Sequence, residues 1–197
     1  GDPVWTLDHG FQPIRWIGAS FVPAMDRNAP VVIAAGVLGN RRALRVSPQH
    51  RMLVAGAQVD LHFAQDAVLV PAKALVDGVR IRREPVLFEQ YFHILLDRHE
   101  VIMAEGALSE SFLPGAAGYK TMSPASRAGL TAALPRLAAG DFAAYGPTAR
   151  QVLTVAEGRL VATWLREVPA TAAAKAPPPI ALPRRAPVRR AALPRAA

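Results

Sequence analysis

The chain contains no cysteine among its 197 residues. That excludes a disulfide scaffold, a thiolate metal site and a cysteine nucleophile within these residues. Long apolar runs are also missing: the longest, residues 29–39, has 11 residues and contains Pro30, Gly36 and Gly39. A membrane-spanning helix needs about 20 apolar residues, so none is expected. No basic-then-apolar leader precedes the first turn, and the chain begins at Gly1 rather than Met. It therefore reads as a processed piece or a fragment. Acid is absent from residues 169–197, which hold six basic residues (Lys175, Arg184, Arg185, Arg189, Arg190 and Arg195). Residues 1–168 carry 17 basic against 15 acidic residues, a net of only +2, so most of the chain's +8 belongs to the tail. That tail is dominated by Ala and Pro, which bury little and remove backbone donors. It reads as a solvated, disordered end, and nucleic acid is not expected as a partner.

What is present is a 51% hydrophobic composition, enough for an ordinary core. Short β-rich runs at residues 4–7, 13–17, 31–35, 44–46, 52–55, 68–70, 79–82, 86–96 and 101–104 end at Gly, Pro, Ser or Asp punctuation. This spacing predicts an all-β fold for residues 1–118. A helical extension is expected over residues 119–168. Ser123 is its first N-cap and Pro124 the first helical residue, with an interruption at Pro135. A second helix is expected within residues 148–166, weakened by Gly158, and a short one at 71–75. No internal repeat is visible.

The chemistry-bearing string is Leu44-Arg45-Val46-Ser47-Pro48-Gln49-His50. A turn after the strand brings the Ser47 hydroxyl and the His50 imidazole to one side. An imidazole so placed can protonate an amide nitrogen, which is otherwise a poor leaving group. The bland alternative is a histidine bonding a carbonyl in a turn. Gly36-Val37-Leu38-Gly39-Asn40 lacks the Lys-Ser/Thr of a phosphate loop and reads as a hairpin turn. His93 and His99, six residues apart, lie about 20 Å apart on an extended chain, so a shared metal requires an intervening turn. His9 reads as a turn residue and His62 as a surface one. Asp97, Glu100 and Glu105 read as solvated strand ends, and Trp5 and Trp16 as core.

Further motifs follow one another in order. They are Gly1-Asp2, Thr6-Leu7-Asp8 and Gly10; Pro13-Ile14-Arg15-Trp16-Ile17-Gly18; Ser47 to Leu53; Asp97-Arg98-His99-Glu100-Val101-Ile102 with Ala104 and Gly106; and Glu110-Ser111-Phe112 with Pro114-Gly115. Together they resemble the bacterial Hint domains of the hedgehog/intein autoprocessing family, in the branch common in large secreted bacterial proteins. The resemblance spans most of residues 1–115 and reaches weakly to residues 145–150 and Glu157.

The resemblance implies a compact β horseshoe that cleaves the peptide bond before itself by an N-to-S acyl shift. It implies an extracellular setting and, as partner, the flanking N-terminal polypeptide. It implies neither a cofactor nor a metal. Ser47 to His50 stands at the family's T-x-x-H motif, with Ser in place of Thr. His50 would donate the proton and Ser47 would hold the scissile amide. His99 matches a late-strand histidine that assists later steps, or else it anchors a strand to a loop. The family's nucleophilic Cys segment, about twenty residues upstream of the Gly-Asp, has no counterpart here, so the printed chain is expected to be inactive. Residues 106–111 lack the His-Asn that ends an intein, which excludes complete splicing. The competing reading is a non-catalytic structural or interaction module, distinguished by the residues encoded upstream of Gly1.

Overall fold

The computed structural model describes residues 1–167; the expected disordered tail lies outside them. Among the described residues eleven strands fall into three antiparallel sheets. The largest has the order β2-β1-β10-β11-β6-β7, built from Pro3–Thr6 (β1), Gly10–Pro13 (β2), Arg51–Ala55 (β6), Ala67–Pro71 (β7), Val101–Ala104 (β10) and Ala107–Glu110 (β11). A long ribbon pairs Trp16–Ala24 (β3) with Val86–Leu95 (β9). A three-stranded sheet has the order β5-β4-β8, from Val31–Ile33 (β4), Leu44–Val46 (β5) and Ile81–Arg83 (β8).

Hairpin chemistry sets the registers. Between β10 and β11, Glu105 and Gly106 have φ of 54° and 96°. Both central residues are therefore left-handed, as a tight hairpin turn matching the strand twist requires. A side chain at Gly106 would also bring its Cβ to 2.8 Å from the carbonyl oxygen of Gly39. The turn between β4 and β5 is held by buried Asn40, whose Nδ2 donates to the carbonyls of Ala34 and Arg42 and whose Oδ1 accepts from the Leu38 N–H. This is the turn expected at Gly36 to Asn40.

Two apolar clusters hold the molecule. The first joins Val31, Ile33, Met52, Val54, Val68, Val70, Leu75 and Ile81 to Val59 of helix α1 (Ala57–Phe63) and Val161 of helix α4 (Val155–Glu167). The edge strand β7 is fully buried because α4 covers it and residues 151–153 pair with Leu69. A protected edge of this kind leaves no template for pairing with another chain. The second cluster gathers Leu95, Met122, Leu130, Leu134, Leu137 and Tyr145 around helices α2 (Ala116–Thr121) and α3 (Pro124–Ala133). Trp16 packs beside it, with its ring wedged against Gly18 and Gly129.

The expected β character stands: the fold is β-rich and antiparallel. Helix is the larger departure, since α1 lies inside residues 1–118 where only residues 71–75 were read as helical. That segment is the single 3-10 turn Ala72–Ala74. Ser123 caps α3 as read, accepting the Ser126 N–H at 3.1 Å, and Pro135 opens a separate 3-10 turn. Helix α4 starts at Val155 rather than 148. Thr154 Oγ1 accepts the Glu157 N–H, and Glu157 accepts the Thr154 N–H at 2.7 Å, a reciprocal capping box. Among the described residues no helix is long and apolar enough to cross a membrane.

Candidate functional site

The turn at the end of β5 is tied down on every side. The His50 N–H donates to both the Oγ and the carbonyl oxygen of Ser47, each at 3.1 Å. The Pro48 carbonyl accepts from the Lys73 N–H at 3.0 Å, and the His50 carbonyl accepts from the Ala72 N–H at 2.8 Å. The local sequence explains this: a Ser hydroxyl readily closes a turn on an N–H two or three residues ahead. The ring of His50 therefore leaves a fixed backbone.

Charged and titratable groups act on that ring. Glu110, at the end of β11, accepts the Arg51 N–H at 2.9 Å and an Arg51 guanidinium N–H at 2.8 Å. Its Oε2 also meets His99 Nε2 at 3.1 Å. His99 Nδ1 accepts the Ala149 N–H at 3.0 Å, which assigns the proton to Nε2 and makes that nitrogen the donor to Glu110. Burial alone would raise the Glu110 carboxyl. The His99 hydrogen bond and the nearby His50, Arg51 and His99 charges outweigh it, and Glu110 is held below the usual carboxylate range.

Burial lowers the pKa of His50. Glu110 opposes that shift, while Arg51 and His99 reinforce it. His93, on β9, is pushed down to about 4 by burial first and by His50 second. Its Nε2 lies 2.5 Å from the Ser20 hydroxyl, and its ring centroid is 4.8 Å from that of Phe112. Phe112 in turn touches Trp16, with ring centroids 5.8 Å apart. Trp16 helps line a cavity of about 250 Å³ together with Gly1, Asp2, Ile14, Arg15 and Ile17. Aromatic contacts thus connect the first residue's surroundings to the histidine pair.

Ser47, His50 and His99 come together: Ser47 sets the turn, and Glu110 joins the His50 strand to His99. His99 is fully buried with both ring nitrogens engaged, the anchoring geometry, and the loop it holds is the 145–150 segment. His93 and His99 do not share one extended strand, because β9 ends at Leu95 and a turn follows. Sequence reasoning missed Glu110 and His93 as members of the site. Glu110 stood in a quoted motif, and the inward alternation of β9 pointed to His93. One of the expected solvated carboxylates is otherwise: Glu100 is buried and meets His9 Nδ1 at 2.9 Å. Asp97 and Glu105 do pair at the surface, with Arg15 and Arg42.

A partly buried imidazole that resists protonation becomes a strong acid once protonated. At a strand end, beside a carboxylate that moderates the shift, it is suited to giving a proton to a poor leaving group. Comparison with known proteins gives one family: the model described as Hint domain matches residues 1–116. No curated protein and no solved structure matches.

Proposed function

The chain belongs to the Hint domain family, and from that premise we propose that it is a self-processing domain promoting cleavage of a peptide bond on its N-terminal side. In the proposed step a thiolate sulfur attacks the scissile carbonyl carbon. The C–N bond breaks, protonated His50 gives its proton to the departing nitrogen, and a thioester remains for water or an external thiol to resolve. The attacking thiol is not among these 197 residues, which contain no cysteine. Ser47 spends acceptor positions on the His50 N–H and keeps its O–H to hold the scissile amide. His99 acts through Glu110 as a positioning residue. The β-rich, antiparallel scaffold supports this reading.

The observation carrying this reading is His50, whose backbone the Ser47 turn fixes and whose ring is under the electrostatic influence of Glu110, Arg51 and His99 and acts in turn on His93. The test places the chain, extended upstream along its own reading frame, behind a reporter protein. Mass spectrometry should find the reporter released on adding thiol, and His50→Ala should slow release about 100-fold. Equal release from both proteins removes His50 from the mechanism.

A second reading, a non-catalytic interaction module, has one observation in its favour. Ile17, Phe21, Phe88 and Phe92 are all more than half exposed on the outer face of the β3–β9 ribbon.

A further inference from the structure

Among the described residues a single buried side-chain nitrogen or oxygen lacks a hydrogen-bond partner: the hydroxyl of Tyr91. Native structures pair almost all such groups, because an unmet buried donor loses its hydrogen bonds to water and gains none in return. An exception points to an acceptor that arrives later. The position of this hydroxyl follows from strand register. Ser20 pairs with Tyr91 and Gly18 with His93, so Tyr91 shares the inner ribbon face with His93 and Ser20. The chain opposite runs from Arg45 to His50. Arg45 forms an ion pair with Glu89, two residues before Tyr91 on the same face. His50 acts electrostatically on His93, two residues after it. Ser47 lies in the chain between these two points of interaction with β9.

We propose that the Tyr91 hydroxyl is an oxyanion donor, hydrogen-bonding the carbonyl oxygen of the scissile peptide while His50 protonates its nitrogen. This rests on the self-processing reading. As sulfur adds to the carbonyl carbon, the C=O electron pair moves onto oxygen, and Tyr91 stabilises that charge without giving up its proton. Burial, with Glu89 nearby and Arg45 opposing, pushes the phenol up to about 12, so it remains a donor at any working pH. Glu89 is occupied by Arg45 and by the Gln90 N–H. A preorganised donor aimed at developing charge is the most effective kind.

The test compares wild type, Tyr91→Phe and His50→Ala in the upstream-extended, reporter-fused protein, with melting temperature and pH profile measured for each. Tyr91→Phe should slow release about 100-fold, leave the melting temperature unchanged or higher, and keep the shape of the pH profile. Tyr91→Phe releasing as fast as wild type overturns the assignment and leaves the His50 reading intact. A slower Tyr91→Phe with a lower melting temperature also overturns it, since the hydroxyl would then be structural. If wild type releases nothing, the self-processing reading fails and the Tyr91 role falls with it.

Discussion

His50 and His93 interact electrostatically and both imidazoles disfavour charge, which bears on stability. The His93 pKa is about 4 in the folded state against the ordinary 6.5. Between these values the unfolded chain binds the proton and the folded one does not. The contribution is therefore complete above pH 6.5 and lost as pH falls toward 4. Discounted for the ring's partial exposure, the loss is about 1–2 kcal/mol. Urea unfolding at pH 7 and pH 4.5 should show this fall in wild type and a smaller one in His93→Asn; equal falls would refute it. Glu110 bears on the other ring. Glu110→Gln removes the charge favouring protonated His50, so the His50 pKa measured by NMR should drop further. Unpairing His99 and Arg51 should cost about 3 kcal/mol. A His50 pKa that stays put would show that the carboxylate does not reach it. At this scale the sequence named Ser47, His50 and His99 because they sit in local motifs. Glu110, His93 and Tyr91 enter through cross-strand neighbours, so neither the motif that holds Glu110 nor the alternation of β9 states which groups they meet.

Elements were legible where a local rule dominates. Strands β5 and β10 have the bounds read from the sequence, and β9 differs by one residue. Each is rich in β-branched, aromatic or leucine side chains and closed by turn residues. The sequence pattern ends β3 at residue 17, because Gly18, Ala19, Ser20 and Pro23 favour strands poorly. Its partner β9 decides the matter, pairing through Ala24, and Gly18 is there because the Trp16 ring occupies the space a side chain would fill. Strand β11, Ala-Leu-Ser-Glu, was overlooked for the same reason, and only the Glu105-Gly106 turn folds it onto β10. The start of α4 is set by the Thr154–Glu157 box. Thr154→Ala should therefore lower stability by about 1 kcal/mol in denaturant unfolding and leave the His93 titration unchanged. A shifted titration would mean that the cap communicates with the site.

For the whole molecule, composition revealed a β-rich fold but not its division into two clusters. The second cluster is what turns a two-stranded ribbon into a rigid wall: α3 lies on Trp16, and the Ser126 hydroxyl donates to the Ala19 carbonyl at 3.1 Å. Tyr145 adds a hydrogen bond to the Leu96 carbonyl at 3.0 Å, and Arg150 pairs with Asp8. The segment after the family's matched region thus braces the loop that carries His99. The most direct test of the account is the pH dependence of reporter release in wild type and His50→Ala. With His50 as proton donor, falling imidazolium and rising thiolate cancel. The wild-type rate should then be level from the His50 midpoint, below 6.5, up to the thiol's ordinary value of about 8.5. His50→Ala should be about 100-fold slower at about pH 7, and its rate should rise about tenfold per pH unit as the thiol ionises. Identical profiles with rates within a factor of about two would contradict the account.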